Sequence, residues 1–125
     1  NEYAAGIIEA LETGKPFSFG GNVMNTGLID NLPDDCCVEV TCLANEGGIQ
    51  PCHIGALPHQ LAALNLRQIS VHQVTVDAAL TGKKDYIYQA AMLDPHASAE
   101  LSIDEIRAMV DDLIEAHGDW LPEYH

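Results

Sequence analysis

The run Cys36–Ala44 (CCVEVTCLA) reads as a strand and dictates much of what surrounds it. A period of two puts Cys36, Val38, Val40 and Cys42 on one face and Cys37, Glu39 and Thr41 on the other. Asn45-Glu46-Gly47-Gly48 is turn chemistry, so Ile49–Ile54 reads as the returning strand of a hairpin. Pro51 has no N–H for a central ladder, which pushes that strand to an edge. Phe17–Val23 alternates as well, with Phe17, Phe19, Gly21 and Val23 on one side. Its paired glycines, Gly20 and Gly21, imply a bulge or a close approach.

An apolar sheet face needs helices to cover it. Glu2–Thr13 has Tyr3, Ile7, Ile8 and Leu11 at helical spacing and stops at Gly14. Pro58 opens a long helix that ends near Thr81 with Gly82 as its cap. Its apolar residues fill more than one stripe, which predicts cover on several sides, by this domain and by another. Asp85 starts a shorter helix, closed by Asp94-Pro95. In the last helix Ser102 and Glu105 form a capping box, with Ile103, Ile106, Val110 and Leu113 on the buried side. Gly118 ends it, and Trp120-Leu121-Pro122 can fold back as an apolar lid. The expected fold is α/β in the broad sense, more narrowly α+β. It has a small, largely antiparallel sheet with a hairpin, covered by the long helix and the further C-terminal helices.

A chain of 125 residues has room for one domain. It starts without Met inside a helical pattern, as an excised piece would, and shows neither a leader nor a membrane span. Nineteen acids against five bases, a formal charge of −14, disfavour any phosphate-backbone partner. The four cysteines are spaced C-C-x4-C-x9-C-H, without paired C-x2-C hooks for zinc. Free thiols in a reducing cytoplasm fit that spacing.

Read for chemistry, the residues give no complete catalytic set. Cys52-His53 and His59 flank one short loop that contains no acid, too few donors for a metal. His72 sits mid-helix among apolar neighbours, as a core or interface histidine would, and His117 lies in a helix's last turn. No dinucleotide, phosphate-loop or nucleophile-elbow motif occurs. Asn22 and Asn25, among Gly20, Gly21 and Gly27, form the one polar, glycine-flexed stretch that can face a ligand; a structural turn is the competing reading.

Three long runs resemble a known family together. NVMNTGLIDNLPDDCCVEV, GGIQPCHIGALP and AAMLDPHASAELSIDEIRAMVDDLIEAHGDWLP look like the C-terminal part of family 4 glycoside hydrolases. The ending, AAMLDPHASAELSIDEI with AHGDWLP, is most similar to the α-galactosidase branch. The likeness runs from Asn1 to about Pro122, so residues 1–125 are expected to be one such C-terminal domain.

The resemblance implies a longer parent with an NAD-binding Rossmann domain ahead of this region. Such enzymes use NAD and Mn2+ to hydrolyse α-galactosides such as melibiose. They oxidise the sugar at C3, eliminate the leaving group and add water, outside the usual two-carboxylate scheme. The family's metal-holding Cys and His, its dinucleotide glycines and its base all precede this region. Cys36, Cys37, Cys42 and Cys52 do not match the metal Cys. The resemblance therefore assigns no catalytic, cofactor or metal residue here, and implies an inert fragment that completes a pocket wall and packs in a homo-oligomer. An α-glucosidase or α-galacturonidase parent, or a non-catalytic oligomerisation module, stands as the alternative.

Overall fold

A computed structural model describes residues 2–125. Asn1, where the expected domain begins, lies outside the described residues. The chain divides into two compact units, one ending at Ala62 and the other starting at Ala63.

The first unit is built on three antiparallel strands, β1 (Phe17–Met24), β2 (Cys37–Asn45) and β3 (Gly48–Pro51), adjacent in that order. With the helices this makes the chain α+β, as expected. On β2, Cys36, Val38, Val40, Cys42 and Ala44 are buried, while Cys37, Glu39 and Thr41 are exposed. The β1–β2 register runs unbroken from Phe17 opposite Ala44 to Met24 opposite Cys37. Gly20-Gly21 therefore make no bulge. They allow close approach instead: a Cβ on Gly21 would lie 2.9 Å from Sγ of buried Cys42.

The hairpin closes through Glu46-Gly47, where the Gly47 N–H donates to Asn45 Oδ1 (2.8 Å). β3 is the edge strand, but it ends at Pro51 rather than near Ile54. Cys52 N–H makes one more bond to Thr41 O, and the Ile54 and Gly55 amides then turn to the Leu28 carbonyl. A competing loop draws the backbone off the sheet.

Helix α1 (Tyr3–Thr13) stops at Gly14, whose φ of +74° is left-handed and whose N–H donates to Ala10 O. It packs on β1 and β2, though not through the expected Tyr3–Ile7–Ile8–Leu11 stripe. Tyr3, Ile8 and Leu11 are exposed, whereas Ala10 is buried. The small side faces in because the Phe17 ring lies on Gly6, where a Cβ would meet it at 2.7 Å.

Helix α2 (His59–Thr81) follows Pro58, whose carbonyl accepts from Leu61 and Ala62, and is capped by Gly82 at φ +70°. The expected cover on several sides is not present among the described residues. Ala62 and Ala78 are buried, while Leu61, Leu64, Leu66, Val76 and Leu80 are exposed. His72 is exposed too, beside Gln68 Nε2 at 3.1 Å, and is not a core histidine.

The second unit continues with α3 (Lys84–Leu93), α4 (Ala97–Glu100) and α5 (Ile103–His117). The short α4 was not anticipated; Asp94 Oδ1 accepts the N–H groups of His96 and Ala97 and starts it. At α5 the capping box forms: Glu105 N–H donates to Ser102 Oγ (3.3 Å), and Glu105 Oε2 accepts Ser102 N–H (2.8 Å). The buried pair is Ile106 and Val110. Ile103 (63% exposed) and Leu113 turn outward, because only one narrow stripe of α5 meets its neighbours.

One turn of 3-10 helix, Gly118–Trp120, follows, and Trp120 is 92% exposed. The expected lid does not close over this unit through its indole. The tail is tied down elsewhere, with His125 N–H on Gly82 O (2.8 Å) and Lys84 N–H on His125 O (2.9 Å). No helix of the described residues is long and apolar enough to cross a membrane.

Candidate functional site

The polar centre of the first unit is a pair of loops, 25–35 and 52–58, laced together beside the sheet. Asn25 anchors the first. It is fully buried, and its Oδ1 accepts Ile29 N–H at 2.7 Å. Its Nδ2 lies 3.0 Å from the carbonyls of Ile29, Leu32 and Pro33. Two N–H bonds are thus shared among three acceptors. Leu28, Ile29 and Leu32 are buried around it, so the turn is packed as well as bonded.

The second loop is sewn to the first. Ile54 and Gly55 N–H reach Leu28 O, and Asp30 N–H reaches Gly55 O. Asn31 grips the Leu57 backbone from both sides, with Nδ2 on Leu57 O (2.8 Å) and Leu57 N–H on Asn31 Oδ1 (2.9 Å). His53 Nε2 lies 2.9 Å from Asp30 Oδ1, with both side chains more than half exposed. This arrangement is preorganised by its own backbone and leaves one imidazole–carboxylate pair open to solvent.

Asn22 and Asn25, the pair singled out in sequence, are not brought together. Asn22 is exposed on β1 opposite Glu39, on the sheet face bearing Ser18, Met24, Cys37 and Thr41. The Asn25 amide is spent on the backbone. The histidine flanking the long helix, His59, joins no metal cluster. Among the described residues, no three His, Cys, Asp or Glu side chains converge as metal ligands.

What sequence missed is the acid beside His53. Asp30 comes from the other loop, 23 positions away, and only the double-loop lacing reveals it. The Asx-rich composition of both loops was the available signal.

The cysteines divide by face. Cys36 and Cys42 are buried, Cys37 and Cys52 exposed, and all four are free thiols. Burial, with Asp35 beside it, pushes the Cys36 thiol above its ordinary range, away from the thiolate a metal needs. The side chains of the described residues do not fit a resident divalent metal.

In the second unit, Tyr88 Oη donates to Asp111 Oδ1 (2.5 Å) and Lys84 Nζ to the same oxygen (3.2 Å). Lys84 and Arg107 lie 5.3 and 5.5 Å from the Tyr88 ring centre. The Tyr88 hydroxyl, then Lys84, hold the Asp111 carboxyl below its usual range. The Tyr88 hydrogen bond, then Asp111, raises Lys84. This cluster fastens α5 to α3.

Comparison with known proteins identifies the domain. Residues 1–97 match the family 4 glycosyl hydrolase C-terminal domain. An α-galactosidase of Bacillus subtilis (strain 168) is 62% identical over 98% of this chain and 28% of its own length. One from Rhizobium meliloti (strain 1021) is 37% identical over 99% of this chain and 25% of its own. The chain thus spans about a quarter of the length of these curated relatives. The crystal structure of a 6-phospho-α-glucosidase from gut microorganisms, in complex with NAD and Mn2+, superposes with a TM-score of 0.85 at 25% identity. That match covers 98% of this chain and 27% of the other. The chain belongs to the C-terminal domains of family 4 glycosyl hydrolases, in the α-galactosidase branch.

Proposed function

We propose that this chain is the C-terminal domain of an NAD- and Mn2+-dependent α-galactosidase acting on α-galactosides such as melibiose. The 62% identity to an α-galactosidase over nearly the whole chain carries the reading. The NAD and Mn2+ in a related structure support the cofactors of the longer protein. Oxidation and re-reduction at C3, with elimination and water addition between, are chemistry that those cofactors supply from outside this chain.

This chain's own contribution is a rigid wall. Asn25 and Asn31 fix the double loop, and Asn22 with the Asp30–His53 pair presents hydrogen-bonding groups suited to sugar hydroxyls. By itself the chain is inactive. The parent works in the cytoplasm, where four unpaired thiols stay reduced, and as a homo-oligomer.

The test is a parent enzyme carrying Asn22→Ala or His53→Ala, numbered as here, assayed on melibiose. The expected result is a several-fold rise in KM with unchanged melting temperature. Unaltered kinetics for both variants would remove them from the pocket. Preference of the unmodified parent for an α-glucoside or α-galacturonide would reassign the branch.

A further inference from the structure

We propose that Arg67 is a docking residue for the rest of a longer parent chain: its guanidinium takes a carboxylate carried on an otherwise apolar segment of that chain, seated in the cleft beside α2.

The sequence leaves this arginine alone. α2 holds one acid, Asp77, and the positions one turn from Arg67 are Ala63, Leu64, Ser70 and Val71, so no helical neighbour can pair with it. Folding brings no acid to it either. Lys15 and Lys84 meet the carboxylates of Glu9 and Asp111, while Lys83 and Arg107 lie over the Tyr86 and Tyr88 rings. Among the described residues, Arg67 is the one Lys or Arg whose side chain has no ion pair, hydrogen bond or ring contact. That isolation stands in a chain with 19 acids.

Its surroundings suit an acid on an apolar segment. Arg67 lines an open cleft of about 460 Å3 formed by α2, the end of α3 and α4. Leu66, Met92 and Leu93 supply apolar wall, and Leu66 and Leu93 stay 38% and 43% exposed. Ser98 lines the cleft too, and its Oγ makes only a long bond to Pro95 O (3.4 Å), so its proton can turn to a visiting carboxylate. A guanidinium offers paired N–H groups to a carboxylate, and the attraction grows once an apolar surround excludes water. A small free anion would gain little from the leucines. An acid flanked by apolar residues uses both parts of the cleft.

The length of chain outside this structure favours one source. The Bacillus subtilis relative matches 98% of this chain over only 28% of its own length, so most of such a parent lies elsewhere. A segment of the same polypeptide acts at an effective concentration of roughly millimolar, an advantage no separate molecule has. The proposal rests on the family of the chain and not on the sugar, and a melting experiment reads no substrate. A failed α-galactosidase reading would leave it standing.

The test compares the same substitutions in the parent and in this chain by melting temperature. In the parent, Arg67→Glu should lower it by about 5 °C or more, because it sets two carboxylates against each other in a closed cleft. Arg67→Ala should cost less, and Arg67→Lys least, since an ammonium keeps the charge without the planar fork. In this chain all three should stay within about 2 °C, as exposed substitutions do. If the Arg67→Glu parent does not fold, Arg67→Ala and Arg67→Lys decide. An unchanged parent would overturn the proposal. Equal losses in parent and chain would also overturn it, by making Arg67 a prop of this unit alone. A loss that disappears when the parent is diluted until its copies separate would put the carboxylate on a second copy, against the proposal.

Discussion

The Asn25 side chain holds Ile29 by both of its backbone polar groups, accepting its N–H at 2.7 Å and donating to its carbonyl at 3.0 Å. Together with the bonds to Leu32 and Pro33, this makes one buried amide the keystone of the turn between β1 and β2.

Asn25→Ala leaves a buried N–H and three carbonyls without that partner. The expected loss is about 3 kcal/mol, since each stranded buried group costs about 1–3 kcal/mol. Asn25→Asp should do no better, because it presents a carboxylate to three carbonyl oxygens. Urea denaturation checks both. A midpoint within error of the unmodified chain would show the turn held by its apolar packing alone.

Much of this architecture is legible in the sequence. The period of two in Cys36–Ala44, the Gly-Gly turn and the Ser102–Glu105 box are local signals, and each appears where expected. Helix orientation was less legible. Hydrophobicity placed Tyr3, Ile8, Ile103 and Leu113 inside, but close packing selected small residues on α1 and a two-residue stripe on α5. For α2 the apolar content is plain in the sequence, whereas this chain by itself leaves Leu61, Leu64, Leu66, Val76 and Leu80 exposed. The division into two units at Ala62 leaves no compositional mark, as it falls inside a continuous helix. At the site, Asn25 stood out by its glycine-rich setting, yet the Asp30–His53 pairing depends on folding two distant loops together.

Ser102→Ala should lower stability by about 1 kcal/mol, the usual cost of an N-cap oxygen. Ser102→Ala removes the hydroxyl that accepts from Glu105 N–H and donates to Glu105 Oε2, leaving that carboxylate only Ser102 N–H, so Glu105→Ala should be partly redundant with it. A double-mutant cycle with zero coupling would contradict the capping box.

The Lys84–Tyr88–Asp111 cluster sets a pH dependence. The folded carboxyl of Asp111 is lowered, so its stabilisation is complete above its ordinary pKa of about 3.9 and is lost as pH falls through the lower folded value. Lys84 is raised, so its stabilisation is present below about 10.4 and is lost as pH rises through the higher folded value. Melting curves of Asp111→Asn and the unmodified chain should differ near neutrality and converge in acid. A gap that widens in acid would contradict the assignment. The magnitude is small, because the pair is solvent-exposed.

Thiol titration should report two fast groups, Cys37 and Cys52, in the folded chain and four in denaturant. Slow reaction of Cys36 follows from its buried, raised thiol. Fast modification of all four in the folded chain would mean that the inner face of β2 opens readily.

The most direct test of the functional account compares the full-length parent with this chain on melibiose in deuterated water. The parent should hydrolyse the sugar only with both NAD and Mn2+ supplied, and the released galactose should carry deuterium at C2, while this chain alone should do neither. Hydrolysis without either cofactor, without C2 label, or by the isolated chain, would contradict it.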